Sequence, residues 1–167
     1  MKIFVDGNAL LNYFEQEQDP LLVADKRYES RQNVRRWLAR YAELRDCDVV
    51  LVWEETDPDL VLPPTERFGR VKVVNLPYGE EAVPEIAGPA NRNAVEERTF
   101  VVTDDYRLAN AVRRGQATLQ DPDRFVRGAR KRMGKSDEKM ATEPDQKFTG
   151  LSEGEVNFWL DFFDEKD

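Results

Sequence analysis

The sequence contains no histidine and a single cysteine, Cys47. The first absence excludes Ser–His and Cys–His couples, and the second excludes an internal disulfide framework and a four-cysteine zinc site. No apolar run approaches the ~18 residues a membrane span needs. The opening stretch, Met1 to Asn8, lacks the apolar core of a signal peptide. A cytoplasmic chain with no membrane attachment is therefore expected. Chemistry is left to carboxylates, hydroxyls, Lys and Arg, or a metal held by oxygen. The 33 acidic residues outnumber the 25 basic ones, giving a net charge of −8. That balance tells against a uniformly basic nucleic-acid surface, although acids gathered at a metal site beside a local basic strip give the same sum. With 167 residues, 40% of them hydrophobic, there is enough apolar material for one sizeable core.

The chain is organised around Thr99 to Gly115. Phe100, Val101 and Val102 form a short apolar, β-branched strand signal, and Thr103-Asp104-Asp105 places a hydroxyl and two carboxylates at its carboxyl end. Leu108, Ala111 and Val112 follow at helical spacing, with Gly115 as the stop. Ligands of open α/β sheets bind beyond the carboxyl ends of the strands, so acids there point to a cation or phosphate site. The alternative is that Thr103 or Asp104 only caps the helix.

The same motif opens the chain. Lys2 to Val5 is a strand signal ending at Asp6-Gly7-Asn8, and the helical spacing of Ala9, Leu10, Leu11 and Phe14 argues against a hairpin. From Ala24 to Arg45 a helix carries Val34, Trp37, Leu38, Tyr41 and Leu44 on one face, with Arg31, Arg35, Arg36 and Arg40 expected on a solvated one. Val49 to Trp53 is a buried strand followed by Glu54-Glu55, Asp57 to Pro64 a loop, and Val71 to Val74 a further strand. Glu80, Glu81 and Glu85 mark the acidic first turns of a helix that Gly88-Pro89 is expected to break. Ala117 to Leu119 is a short strand, and Asp121-Pro122 opens another helix. Arg124, Arg127, Arg130, Lys131, Arg132 and Lys135, with no acid among them, form a strip able to follow a phosphate backbone. The other reading is a solubilising helix end favoured by the dipole. Gly134 to Gly150 reads as polar linker. Ser152 and Glu155 form a capping box for a last helix carrying Val156, Trp159, Leu160 and Phe163.

Alternating strands and helices imply an α/β fold: a mainly parallel sheet flanked by helices on both faces, PIN-like and Rossmannoid, plus a C-terminal helix. The expected domains are 1–133 for the α/β unit, 134–150 for the linker and 151–167 for the amphipathic helix. In a parallel sheet the strand ends share one edge, so Asp6, Glu54 and Asp105 can converge. Bare convergence of anions is destabilising, and a hard divalent cation, Mg²⁺ or Mn²⁺, removes the penalty. Such a cluster suits metal-assisted phosphodiester hydrolysis.

Val5 to Leu11 (VDGNALL), Val101 to Leu108 (VVTDDYRL), Gly115, Phe125 and the GLSEGEVNFWLDFF ending together resemble the YacP-like, NYN-domain branch of the PIN-like ribonucleases. The resemblance implies a Mg²⁺-dependent ribonuclease acting on mRNA or ribosome-associated RNA. It assigns Asp6, Asn8, Thr103, Asp104 and Asp105 to the catalytic site, with Asp6 and Asp105 as the main metal ligands and Asn8 and Thr103 positioning phosphate or water. Relatives also carry Ala-Asp-Asp or Ala-Asp-Glu at the helix before the central strand. Here that position reads Ala82-Val83-Pro84, leaving Glu80, Glu81 or Glu85 as substitutes, with Glu81 taken as the metal ligand. Relatives carry Phe-Asp where this chain has Trp53-Glu54. These departures raise a second reading, a catalytically weakened NYN module that binds RNA or a ribonucleoprotein through the basic strip. A third reading is a protein-interaction domain acting through its last helix.

Overall fold

A computed structural model describes residues 1–141, with side chains over 1–134. Residues 142–150 of the expected 134–150 linker, the C-terminal helix and the Lys135 side chain lie outside the described residues. Backbone contacts divide the chain into two units, Met1–Val126 and Arg127–Asp167.

The first unit runs β1 (Lys2–Asp6), α1 (Gly7–Gln16), α2 (Arg27–Arg45), β2 (Asp48–Glu54), β3 (Thr65–Phe68), β4 (Val71–Leu76), α3 (Ala82–Asn93), β5 (Thr99–Val102), α4 (Tyr106–Arg113) and β6 (Thr118–Gln120). A last helix, α5 (Pro122–Ala141), begins in this unit and continues into the second. The sheet order is β3-β4-β2-β1-β5-β6. All its pairings are parallel except that of β3 with β4. The α/β architecture is the expected one, with β1, the first strand in sequence, lying between β2 and β5.

Side-chain alternation along the strands separates two faces. Phe4, Val52, Leu76 and Val101 pack with Ala82, Ile86 and Ala90 of α3 and Leu108 and Val112 of α4. On the opposite face α2 lies over β2 and β3, where Arg31 covers the Trp53 ring and Arg35 the Phe68 ring, their guanidinium carbons 5.0 and 4.7 Å from the ring centroids. Phe14, Trp37, Phe125 and Tyr41 form an edge-to-face series with ring centroids 5.3 to 6.0 Å apart. This series fastens the first turn of α5 to α1 and α2, and the Tyr13 hydroxyl donates to Asp123 Oδ1 at 2.9 Å. Such contacts exceed simple area burial by about 1 kcal/mol each.

The structure corrects several local expectations. The helix from Ala82 runs unbroken through Gly88-Pro89 to Asn93. Proline deprives the Glu85 carbonyl of its helical donor, but Glu85 is exposed and water can serve that oxygen. The α2 arginines are not a solvated face, because Arg31 and Arg36 are buried. Arg31 is paired with Glu55 at 2.9 Å, both side chains less than a tenth exposed. Hydrogen bonds from the Asp57 amide and from Arg31 hold the Glu55 carboxyl below its usual value, although burial opposes them. Strand β3 carries no apolar alternation and is formed by its antiparallel partner across a turn at Gly69, whose φ is +57°. Gly134, expected to begin a linker, is within α5.

Candidate active site

Strand β1 passes directly into α1, so Asp6 is both the last residue of a strand and the N-cap of a helix. Its Oδ1 accepts from the Ala9 amide at 3.3 Å, and its Oδ2 accepts from the Thr103 hydroxyl at 2.9 Å. The strand-to-helix passage requires Gly7: a Cβ there would lie 2.5 Å from Trp53 Cε3 and 2.8 Å from the Val52 carbonyl oxygen. The absence of a side chain lets α1 descend onto the end of β2, which brings Asp6 close to Glu54.

Asp105 repeats the arrangement at β5. It caps α4 through Oδ1, which accepts from the Leu108 amide at 2.9 Å. The Thr103 hydroxyl oxygen accepts from the Asp105 amide at 3.0 Å while donating to Asp6. One hydroxyl thus locks the two aspartates together across neighbouring strands. The capping residue is Asp105 rather than Thr103 or Asp104. Asp104 lies exposed beside it.

The third acid at this edge is Glu54, at the end of β2. Its Oε1 accepts from the Ala82 amide at 2.6 Å, serving as a long-range cap for α3 in a place where Glu81, the residue before the helix, makes no side-chain cap. Three helix N-termini therefore meet three carboxylates at one sheet edge, which orients each acid through a backbone donor and a positive dipole end.

Electrostatics identify the group under most stress. Asp6 is 7% exposed. Burial pushes its carboxyl up to about 6 from an ordinary 3.8, more than the Thr103 and Ala9 hydrogen bonds pull it down, and the Glu54 and Asp105 charges push it the same way. This buried oxygen donor, facing two further acids without histidine or cysteine, suits Mg²⁺ or Mn²⁺. The described residues hold no ready cluster of three ligating side chains. Mg²⁺ does not require one, since it keeps several waters and takes one or two carboxylates directly.

Other expected site residues are engaged elsewhere. Asn8 donates to the Glu54 carbonyl at 3.1 Å and accepts from the Glu54 amide at 2.9 Å, so its amide is spent on holding the end of β2. Glu81 is gripped at both oxygens by Arg107, at 2.9 and 3.1 Å, and that pairing holds its carboxyl below the usual range. Glu80 and Glu85 are exposed. Glu54, read in the sequence only as one of three strand-ending acids, is the carboxylate that meets the α3 start. The sequence signal for it was the same one that marked Asp6 and Asp105, an apolar strand ending in an acid. A groove of about 440 Å³ beside α3, bordered by Lys2, Lys72 and Pro89, contains none of the three acids. Arg124, Arg127, Arg130, Lys131 and Arg132 are all exposed on α5. No helix among the described residues is long and apolar enough to cross a membrane.

The profile of the YacP-like NYN domain matches residues 3–156. Solved structures similar in fold include two of one bacterial protein. The crystal structure of Rae1 (YacP) from Bacillus subtilis is 20% identical with a TM-score of 0.73, covering 99% of this chain and 93% of that one. A tryptophan-to-leucine mutant of the same Bacillus subtilis protein is 19% identical with a TM-score of 0.69, covering 87% and 84%. No curated protein sequence matches the chain.

Proposed function

This chain belongs to the YacP-like NYN domain family, and from that membership and its acidic sheet edge we propose that it is a divalent-metal-dependent endoribonuclease that hydrolyses RNA phosphodiester bonds. The observation that carries the proposal is the buried Asp6 carboxylate at the acidic edge, raised to about 6 by burial together with the Glu54 and Asp105 charges. Perturbed carboxyls gathered at one strand edge are characteristic of functional sites.

Asp6 and Asp105 would hold the metal. Glu54 would complete or hydrate the site through Oε2, the oxygen not used by the Ala82 amide. When bound, Mg²⁺ or Mn²⁺ supplies an activated water and neutralises charge on the transferring phosphoryl group. Thr103 keeps both aspartates in register. Asn8 and the α3 N-terminus fix the backbone and the side chain of Glu54 respectively. The family's acid at the α3 start, absent from Ala82-Val83-Pro84, would thus be replaced from the neighbouring strand. A glutamate, one methylene longer than the family's Phe-Asp aspartate, reaches the α3 amide from β2. Exposed cations on α5, with Lys135, would contact the RNA backbone.

The test is cleavage of single-stranded and structured RNA with Mg²⁺ or Mn²⁺, with and without EDTA. Cleavage that disappears in EDTA and in Asp105→Asn supports the reading, and cleavage surviving either one refutes it. The engagement of Glu81 by Arg107 favours a second reading, an RNA-binding module without turnover. That reading predicts salt-dependent RNA binding with no metal-dependent product.

A further inference from the structure

We propose that Tyr78 and Tyr106 are stacking platforms for unpaired bases on either side of the acid cluster, so that the site takes RNA as an extended single strand. Resting on the ribonuclease reading above, this inference adds the form of the substrate and the residues that recognise it.

Six large hydrophobic side chains are exposed among the described residues, and three of them, Val61, Tyr78 and Tyr106, lie on the segments leaving the acidic edge, the last two being aromatic. Tyr78 is 60% exposed and follows β4, while Tyr106 is 76% exposed and opens α4 directly after Asp105. In sheet order β4 and β5 enclose β2 and β1, the strands ending in Glu54 and Asp6. The strands that lead to the two tyrosines thus enclose those that end in Glu54 and Asp6, and lie about 14 Å apart by three inter-strand spacings. That span accommodates a few nucleotides with a phosphate between the platforms.

Both rings are displayed on fixed backbone. Tyr78 is at the second position of a tight turn closed by the Glu80 amide on the Pro77 carbonyl at 3.0 Å, with Gly79 at φ +91° in the third. This is the type II pattern, in which glycine removes the steric cost of positive φ. Tyr106 occupies the first turn of a capped helix. Ordering either ring on a base thus requires little backbone entropy.

Charge gives the chemical reason for stacking. The protein carries −8 overall and concentrates carboxylates where a phosphate must approach, so cation contacts are a poor source of affinity at this edge. Base–aromatic stacking is independent of charge and tolerant of sequence, and only unpaired bases offer a free face.

The test uses the full chain in EDTA with single-stranded RNA oligonucleotides carrying 2-aminopurine, whose fluorescence is quenched on stacking. Wild type should bind and quench, with duplex RNA of the same sequence bound more weakly. Tyr78→Leu and Tyr106→Leu should each weaken binding roughly 5- to 100-fold and relieve the quenching, with no change in salt slope, while the Phe variants retain both. Both positions are exposed, so unchanged thermal melts identify the variants as folded. Leu variants that bind like wild type, or equal affinity for duplex, overturn the inference while leaving the ribonuclease reading intact. A wild-type chain that neither binds nor cuts any RNA overturns both.

Discussion

Replacing Asp6 with asparagine should stabilise the metal-free protein at pH 8. The Asp6 carboxyl is raised from 3.8 to about 6 in the folded chain. Between those values the folded state binds more protons than the unfolded one, so stability falls as pH rises through that window. The contribution is fully present below pH 3.8 and lost above about 6. A difference of about 2 pKa units corresponds to about 3 kcal/mol. Asparagine cannot ionise, still accepts from the Ala9 amide, and turns a donor toward Thr103, whose hydroxyl must then rotate. Part of the gain is lost in that rotation, leaving roughly 1–3 kcal/mol at pH 8, or a Tm higher by roughly 3–10 °C. Thermal and urea melts of both proteins in EDTA from pH 4 to 8 measure it. Glu55, whose pKa is lowered, titrates alike in both proteins, so the difference between the two curves isolates Asp6. A variant less stable than wild type at pH 8, or a difference that does not narrow toward pH 4, would refute the reasoning.

Three further outcomes are expected. Gly7→Ala forces a methyl group into Trp53 and the Val52 carbonyl, and should cost roughly 1–3 kcal/mol by urea denaturation with a shift in tryptophan fluorescence. Arg31→Ala leaves the Glu55 carboxylate buried without its partner and should cost about 3–5 kcal/mol, whereas Arg31→Met together with Glu55→Leu should recover most of it. Combined Ala substitution of Arg124, Lys131 and Arg132 should flatten the salt dependence of single-stranded RNA binding by about 2 in slope, at about 0.7 per lost phosphate contact, and an unchanged slope places the RNA elsewhere.

The sheet was legible because its parallel strands, buried on both faces, are written as short apolar runs such as Val49 to Trp53. Strand β3 was not, since Thr65 to Phe68 has an edge strand's polarity and exists through its pairing with β4. The convergence of Asp6, Glu54 and Asp105 followed from three strands ending in acid, and the sheet order puts those strands side by side. Which acid serves the α3 start could not be read from spacing along the chain. It depends on a hydrogen bond between Glu54 and an amide 28 residues later, and on Arg107 drawing Glu81 away. The burial of Arg31 was hidden for the same reason, because its partner Glu55 belongs to a different element.

Mn²⁺ titration followed by electron paramagnetic resonance reports whether the acids at the sheet edge hold a divalent cation. One bound Mn²⁺ per chain is predicted, competed by Mg²⁺, at least tenfold weaker in Asp6→Asn and Asp105→Asn, weakened in Glu54→Gln and unchanged in Glu81→Gln. Binding that is absent from wild type, or that survives Asp6→Asn at full affinity, would contradict the account.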